Sequence, residues 1–225
     1  MTDDPAVRLA LHGHALALLP EGAVWWPAAR TLFVADLHLG KAATFRAFGQ
    51  PVPSGTTEAN LARVSALIER HDAARLIFLG DLLHAAPAQR ASLHEALARW
   101  RDAHAALDCV LVRGNHDRGA GDPPAAMRCT IVDEPWLAGD ALLACHHPQR
   151  HAERLVLAGH VHPVVRLHGR ARDSVRLPCF VLGAGLLILP AFGEFTGGTM
   201  RGLPDDALAY PIGAGRVWPA QPLAR

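Results

Sequence analysis

Apolar residues gather in short runs, and five of these runs stop abruptly on polar groups. Residues 32–35 lead into Asp36-Leu37-His38-Leu39-Gly40, and residues 76–79 lead into Gly80-Asp81. Residues 109–112 lead into Arg113-Gly114-Asn115-His116-Asp117, residues 141–144 into Cys145-His146-His147, and residues 155–158 into Gly159-His160-Val161-His162. Such runs, without helical spacing, read as buried strands. Upstream, residues 7–19 alternate loosely and predict a strand or hairpin with Gly13 at its turn, and Val24-Trp25-Trp26-Pro27 predicts a short strand closed by proline. Helical spacing appears twice: over 58–71, with Leu61, Val64, Leu67 and Ile68 on one face and Thr56 or Thr57 as cap, and over 88–104, with Leu93, Ala96, Leu97 and Trp100 inward. Further strands are expected at 129–132, 136–138, 164–167, 180–182 and 186–189, and Arg216-Val217-Trp218 reads as a last one.

Helices early and strands late predict an α/β fold of two packed sheets flanked by helices. A single domain over residues 1–225 is expected, with the tail 204–225 weakly patterned. Composition sharpens this only slightly. The chain is 50% hydrophobic and 19% charged, with a formal net charge of +1, which argues against a strongly electrostatic nucleic-acid binder but leaves room for a local basic groove. The cysteines (Cys109, Cys129, Cys145, Cys179) have no Cys-x-x-Cys spacing and read as small hydrophobes in a reducing compartment. The acidic start Met1-Thr2-Asp3-Asp4-Pro5 shows no signal peptide, and no apolar stretch is long enough for a bilayer. A cytoplasmic protein without membrane contact is expected.

The chemistry lies where the strands run out. Asp36 and His38 are two residues apart, so on an extended chain both aim at one point. Carboxylate oxygen with imidazole nitrogen suits Mn, Fe, Zn or Co better than Ca. One Asp-x-His is weak evidence, but five successive strands delivering N or O donors at their C-terminal ends, where open α/β sheets place their sites, form a pattern.

The ordered blocks Asp36-x-His38, Gly80-Asp81, Gly114-Asn115-His116-Asp117, His146 and Gly159-His160-x-His162 resemble the calcineurin-like metallophosphoesterase superfamily over residues 33–163. The resemblance implies a four-layer αββα sandwich holding two divalent transition metals. It implies Asp36, His38 and His162 on the first metal, Asn115, His146 and His160 on the second, and Asp81 bridging both. Two cations about 3.5–4 Å apart generate a nucleophile from water and clamp a phosphate for in-line attack. His116 is then expected over the phosphate, assisting the leaving alkoxide, with Asp117 orienting its ring. His147 would lie at the rim.

Within the superfamily, the motifs through Gly40-Lys41, Phe45-Arg46, Leu82-Leu83-His84, Arg113, His147-Pro148 and residues 189–198 are similar to the ligase-associated metallophosphoesterases of the bacterial DNA-damage response. That group implies a manganese-dependent phosphodiesterase acting as a single-strand DNA endonuclease, encoded beside a helicase and a DNA ligase. Lys41, Arg46, His84, Arg113 and His147 become candidate substrate contacts, although solvated loop charges explain Lys41 and Arg46 as well. Arg166, His168, Arg170 and Arg172 recur at period two, followed by Arg176, and would form a basic stripe if extended or a solvated turn if not. Trp25, Trp26 and Phe45 could stack bases, with core packing the plainer reading. A small nucleotide diester or pyrophosphate hydrolase, and a non-catalytic interaction module, are the alternatives.

Overall fold

The computed structural model describes residues 4–47, 49–52, 55–85, 91–168, 173–194, 196–199, 203 and 206–223. Two mixed sheets pack face to face. The first runs in sequence order: β1 (Val7–Leu11), β2 (His14–Leu18), β3 (Val24–Trp26), β4 (Thr31–Val34), β5 (Arg75–Phe78), β6 (Asp108–Val112) and β7 (Thr130–Val132). Its first four strands are antiparallel, and β4 to β7 are parallel. The second contains β8 (Trp136–Ala138), β9 (Leu142–Ala144), β10 (Leu155–Ala158), β12 (Ser174–Gly183), β13 (Leu186–Ile188), β14 (Leu208–Gly213) and β15 (Arg216–Val217), in the order β15-β14-β12-β13-β10-β9-β8. Two further strands attach to it: β11 (Val164–His168) pairs with β12, and β16 (Gln221–Pro222) with β14.

Period-two alternation places the core. Phe33, Ile77 and Val110 of the first sheet face Leu142, Leu155, Phe180 and Leu187 of the second. The alternate residues Leu32, Val34, Leu76, Phe78, Cys109 and Leu111 point outward beneath α2 (Thr56–His71) and α3 (Ala91–Ala103), which bury Leu61, Val64, Leu67, Leu93, Leu97 and Trp100 on them. Each fully buried large side chain of this kind contributes about 1.5–3 kcal/mol of transfer free energy. Among the described residues, the outer face of the second sheet carries no such helix; Val165, Leu167, Leu177 and Leu203 cover it instead.

Two expectations shift. The α2 cap is not Thr56 or Thr57, which lie inside the first turn; Gly55 precedes the helix at φ 82° with no side-chain cap. The weakly patterned tail holds β14, an inner strand paired with β12 on one side and β15 on the other, whose small and proline residues hid its apolar run. The second helix is described from Ala91, so its expected start at 88 lies outside the described residues, as do Arg170 and Arg172. The four cysteines are unpaired thiols, with Cys109, Cys145 and Cys179 buried. Among the described residues, no helix is long and apolar enough to cross a membrane.

Candidate metal centre

The loops after β4 and β5 continue their strand pairing for several residues. Asp36 N–H donates to Gly80 O, His38 N–H to Asp81 O and Leu39 N–H to Leu82 O. The second sheet joins through His160, whose N–H donates to Asp36 Oδ2 at 2.9 Å. The ends of β4, β5, β6, β9 and β10 therefore meet at one place, as their shared polar endings predicted.

How the donors converge differs from expectation. Asp36 and His38 lie beyond the strand, both in the left-handed region (φ 55° and 46°), so strand alternation does not bring them together. Asp81, His160 and His162 share this conformation, with φ 51°, 71° and 50°. Residues with short polar side chains enter this region more readily than most, and clusters of such backbones mark functional sites.

Among the described residues the donors form overlapping groups, of which two bear on the expected ligands. In the first, one ligand atom each from Asp36, His38 and His162 lies within 4.8 Å of the others. In the second, His146 Nε2 stands 2.9 Å from Asn115 Oδ1 and 3.1 Å from His160 Nδ1. Asp81 lies between them, with Oδ1 3.5 Å from His146 Nε2 and Oδ2 3.8 Å from His38 Nε2. All seven residues expected as ligands are thus gathered at one place, where His84, His116 and His147 also lie close enough to form groups of three with them.

The residues fit divalent cations. Asp36 Oδ1 is buried without a hydrogen-bond partner, and ring nitrogens of His38 and His162 face each other at 3.4 Å. His146 Nδ1 donates to Leu79 O, and His162 Nδ1 to Thr196 O. Those backbone carbonyls leave each Nε2 with a free lone pair, the usual second contact of a metal-binding imidazole. Burial, then the charge of Lys41 and the neighbouring histidines, holds His38 down to about 2, so it is a neutral donor at any ordinary pH. Burial also raises Asp81, against the pull of His146. Two cations here would supply the Lewis acidity that makes a nucleophile from water and neutralises phosphate charge.

His116 is the second residue of α4 (Asn115–Ala120), a six-residue helix too short to show a helical period in sequence. Its N–H donates to Asp81 Oδ1 at 2.8 Å, and its ring is partly exposed with Nε2 4.0 Å from Asp81 Oδ2. Asp117 does not orient that ring. It is buried and accepts Leu83 N–H and Gly114 N–H, capping α4 and tying it to the β5 loop. The ring is held by residue 84 instead: His116 Nδ1 donates to His84 O at 2.7 Å, and the two rings stack with centroids 5.2 Å apart. A carbonyl accepts only, so Nδ1 carries the proton and Nε2 is directed to the centre.

The remaining candidates divide. His84 is beside the centre, edge-on to His38. Lys41 begins α1 (Lys41–Ala47), half-buried, in the field of Asp36 and Asp81. His147 stands at the rim with its ring 4.4 Å from that of His160. Arg46 is exposed and donates to Val52 O, on the far side of α1's chain reversal. Arg113 is committed to Asp122 and Asp133, so its charge is already met within the protein. Trp25 and Trp26 are core residues, 8% exposed each, and offer no stacking platform. One residue escaped sequence reading: Glu134, which accepts the N–H groups of both His146 and His147. Its neighbours Asp133 and Pro135 carry no motif, so only the fold reveals it.

Residues 29–143, just over half of the chain, match the calcineurin-like phosphoesterase family. The chain belongs to that family and is a metal-dependent phosphodiesterase. A solved structure of nuclease MPE from Pseudomonas putida is 46% identical, with a TM-score of 0.81 over 95% of this chain and 99% of that one. The E. coli phosphoesterase YfcE is 16% identical, with a TM-score of 0.43 over 86% of this chain and 99% of the other, and bears on neither fold nor function. No curated protein matches the chain in sequence.

Proposed function

We propose that this protein is a manganese-dependent phosphodiesterase that cuts DNA endonucleolytically, favouring single strands, and acts in DNA repair in the cytoplasm. What carries the reading is a complete two-part donor set in a chain 46% identical, nearly end to end, to a protein named as a nuclease. Asp36, His38 and His162 would hold one cation and Asn115, His146 and His160 the other, with Asp81 placed between them. Mixed carboxylate, amide and imidazole donors suit manganese, with iron, cobalt and zinc as competitors. With Nδ1–H on the His84 carbonyl, His116 assists the leaving oxygen when Nε2 is protonated as well, and Lys41 would lend positive charge beside the phosphate. A helicase and a DNA ligase are the expected functional associates.

The test is circular single-stranded DNA incubated with metal-stripped protein, to which Mn, Mg, Zn or Co is restored singly. Linearisation followed by fragmentation, abolished by His38→Ala, is expected with manganese; a circle has no end for an exonuclease. An intact circle alongside a hydrolysed chromogenic diester would instead identify a small-nucleotide hydrolase.

A further inference from the structure

Beside the centre lies a cavity of about 370 Å³ that the mechanism above does not use. His162 forms its inner end, Pro163, Val164 and Pro178 its apolar floor, and Arg176 and Gly198 its outer wall. We infer that this cavity and the β11–β12 face continuing from it form the track for nucleotides flanking the scissile phosphate. The inference rests on the DNA reading and assigns where the polynucleotide runs.

Strand register supports the assignment. In the antiparallel β11–β12 pair, Val164 lies opposite Pro178 and Arg166 opposite Arg176. Directly opposed residues project to one face, and residues two apart on a strand share it. Val164, Pro178, Arg166 and Arg176 therefore line one surface. The apolar pair is nearest His162, and the arginine pair follows about 7 Å further out, two strand residues away. A chain leaving the centre meets first an apolar step suited to a sugar or base face, then two guanidinium groups suited to a phosphate. Both arginines are exposed. Arg176 is aimed by its bond to Gly198 O at 2.7 Å.

The cavity is also continuous with the centre. His162 Nδ1 donates to Thr196 O, in the loop that forms the opposite wall, and Thr199 N–H donates to His162 O. Gly198 cannot carry a side chain, because a Cβ there would overlap Val164 and fill the passage. A minimal diester ends at the metals and never reaches the arginines, so these matter for a polymer. Contacts from guanidinium to phosphate carry no base information, so binding along the track is sequence-neutral.

Steady-state cleavage of a labelled oligothymidylate by the manganese-loaded protein tests this across a salt series. Arg166→Ala/Arg176→Ala is expected to raise KM on the order of tenfold with kcat little changed. It should also flatten the log–log salt slope by about 1.4, roughly 0.7 per lost single-strand phosphate contact. Arg99→Ala, on α3 and paired with Glu95, controls for simple loss of charge. Arg166→Ala alone leaves the Arg176–Gly198 bond intact, guards against a folding defect, and should give about half the slope change. A wild-type KM and slope in the double variant, or an equal loss in Arg99→Ala, would overturn the track while leaving DNA cleavage standing. A wild-type protein that hydrolyses a chromogenic diester but no oligonucleotide would remove the DNA reading itself, and the track with it.

Discussion

The Glu134 carboxylate grips His147 at two points: Oε1 lies 2.6 Å from Nδ1, and Oε2 accepts the His147 N–H at 2.8 Å. The same Oε2 takes the His146 N–H at 2.7 Å. One side chain thus sets the turn that aims His146 at the second donor group and holds the His147 ring at the rim.

Glu134→Ala should therefore weaken manganese binding and lower the unfolding free energy by about 1–3 kcal/mol, because a partly buried N–H loses its acceptor. Glu134→Gln, which keeps one acceptor oxygen, should fall between. Metal titration followed by mass spectrometry, with urea melts of each variant, measures both effects. Unchanged metal affinity in Glu134→Ala would remove its positioning role.

His116 should be separable from metal binding. His116→Ala is expected to lower kcat about 10²–10⁴-fold on a diester with a poor leaving group and much less on a p-nitrophenyl ester, whose leaving group needs no proton. Metal content should match the wild type. Equal losses on both esters would argue against leaving-group assistance.

Asp117 should behave as a structural cap. With two backbone donors on its carboxylate, Asp117→Ala should cost on the order of 2 kcal/mol in a denaturant melt. The His116 ring keeps its His84 carbonyl partner, so the surviving folded enzyme should lose far less than His116→Ala does.

Gly114 presses against the bridging carboxylate. A Cβ there would overlap Asp81 Oδ1 and its backbone nitrogen. Gly114→Ala should abolish the rise in melting temperature that manganese gives the wild type, because a ligand that binds only the native state stabilises it. A full manganese shift in Gly114→Ala would contradict this.

Burial raises the thiols of Cys109 and Cys145 to about 11 and that of Cys179 to about 12. Since the thiolate is the reactive form, an aromatic disulfide reagent at pH 8 should leave these three untouched in the native protein and titrate them only on denaturation. Rapid native reaction at Cys109, Cys145 or Cys179, located by peptide mapping, would show that the core opens.

The centre was legible because each ligand follows an apolar run whose length and composition announce a strand. Asp36, Asp81, Asn115, His146, His160 and His162 could be placed at strand ends without coordinates. What the chain conceals is conformation and long-range partnership. Asp36 and His38 meet through left-handed backbones, which leave no periodic trace. Glu134 acts through backbone N–H groups, and any acceptor in that place would look alike in sequence. Arg113 reads as a free cation beside Asn115 until folding delivers Asp122 and Asp133 to it. β14 went unseen because Ala209 and Pro211 give weak strand signals even when fully enclosed.

Five candidate ligands hold left-handed backbones, a conformation that costs a non-glycine residue on the order of 1–2 kcal/mol. Glycine would relieve that cost at 36, 38, 81, 160 and 162 alike. At 36 and 81 that relief would be offset, because the Asp36 and Asp81 carboxylates accept the His160 and His116 N–H groups. The strain is thus stored at the centre itself, where a bound cation would offset it.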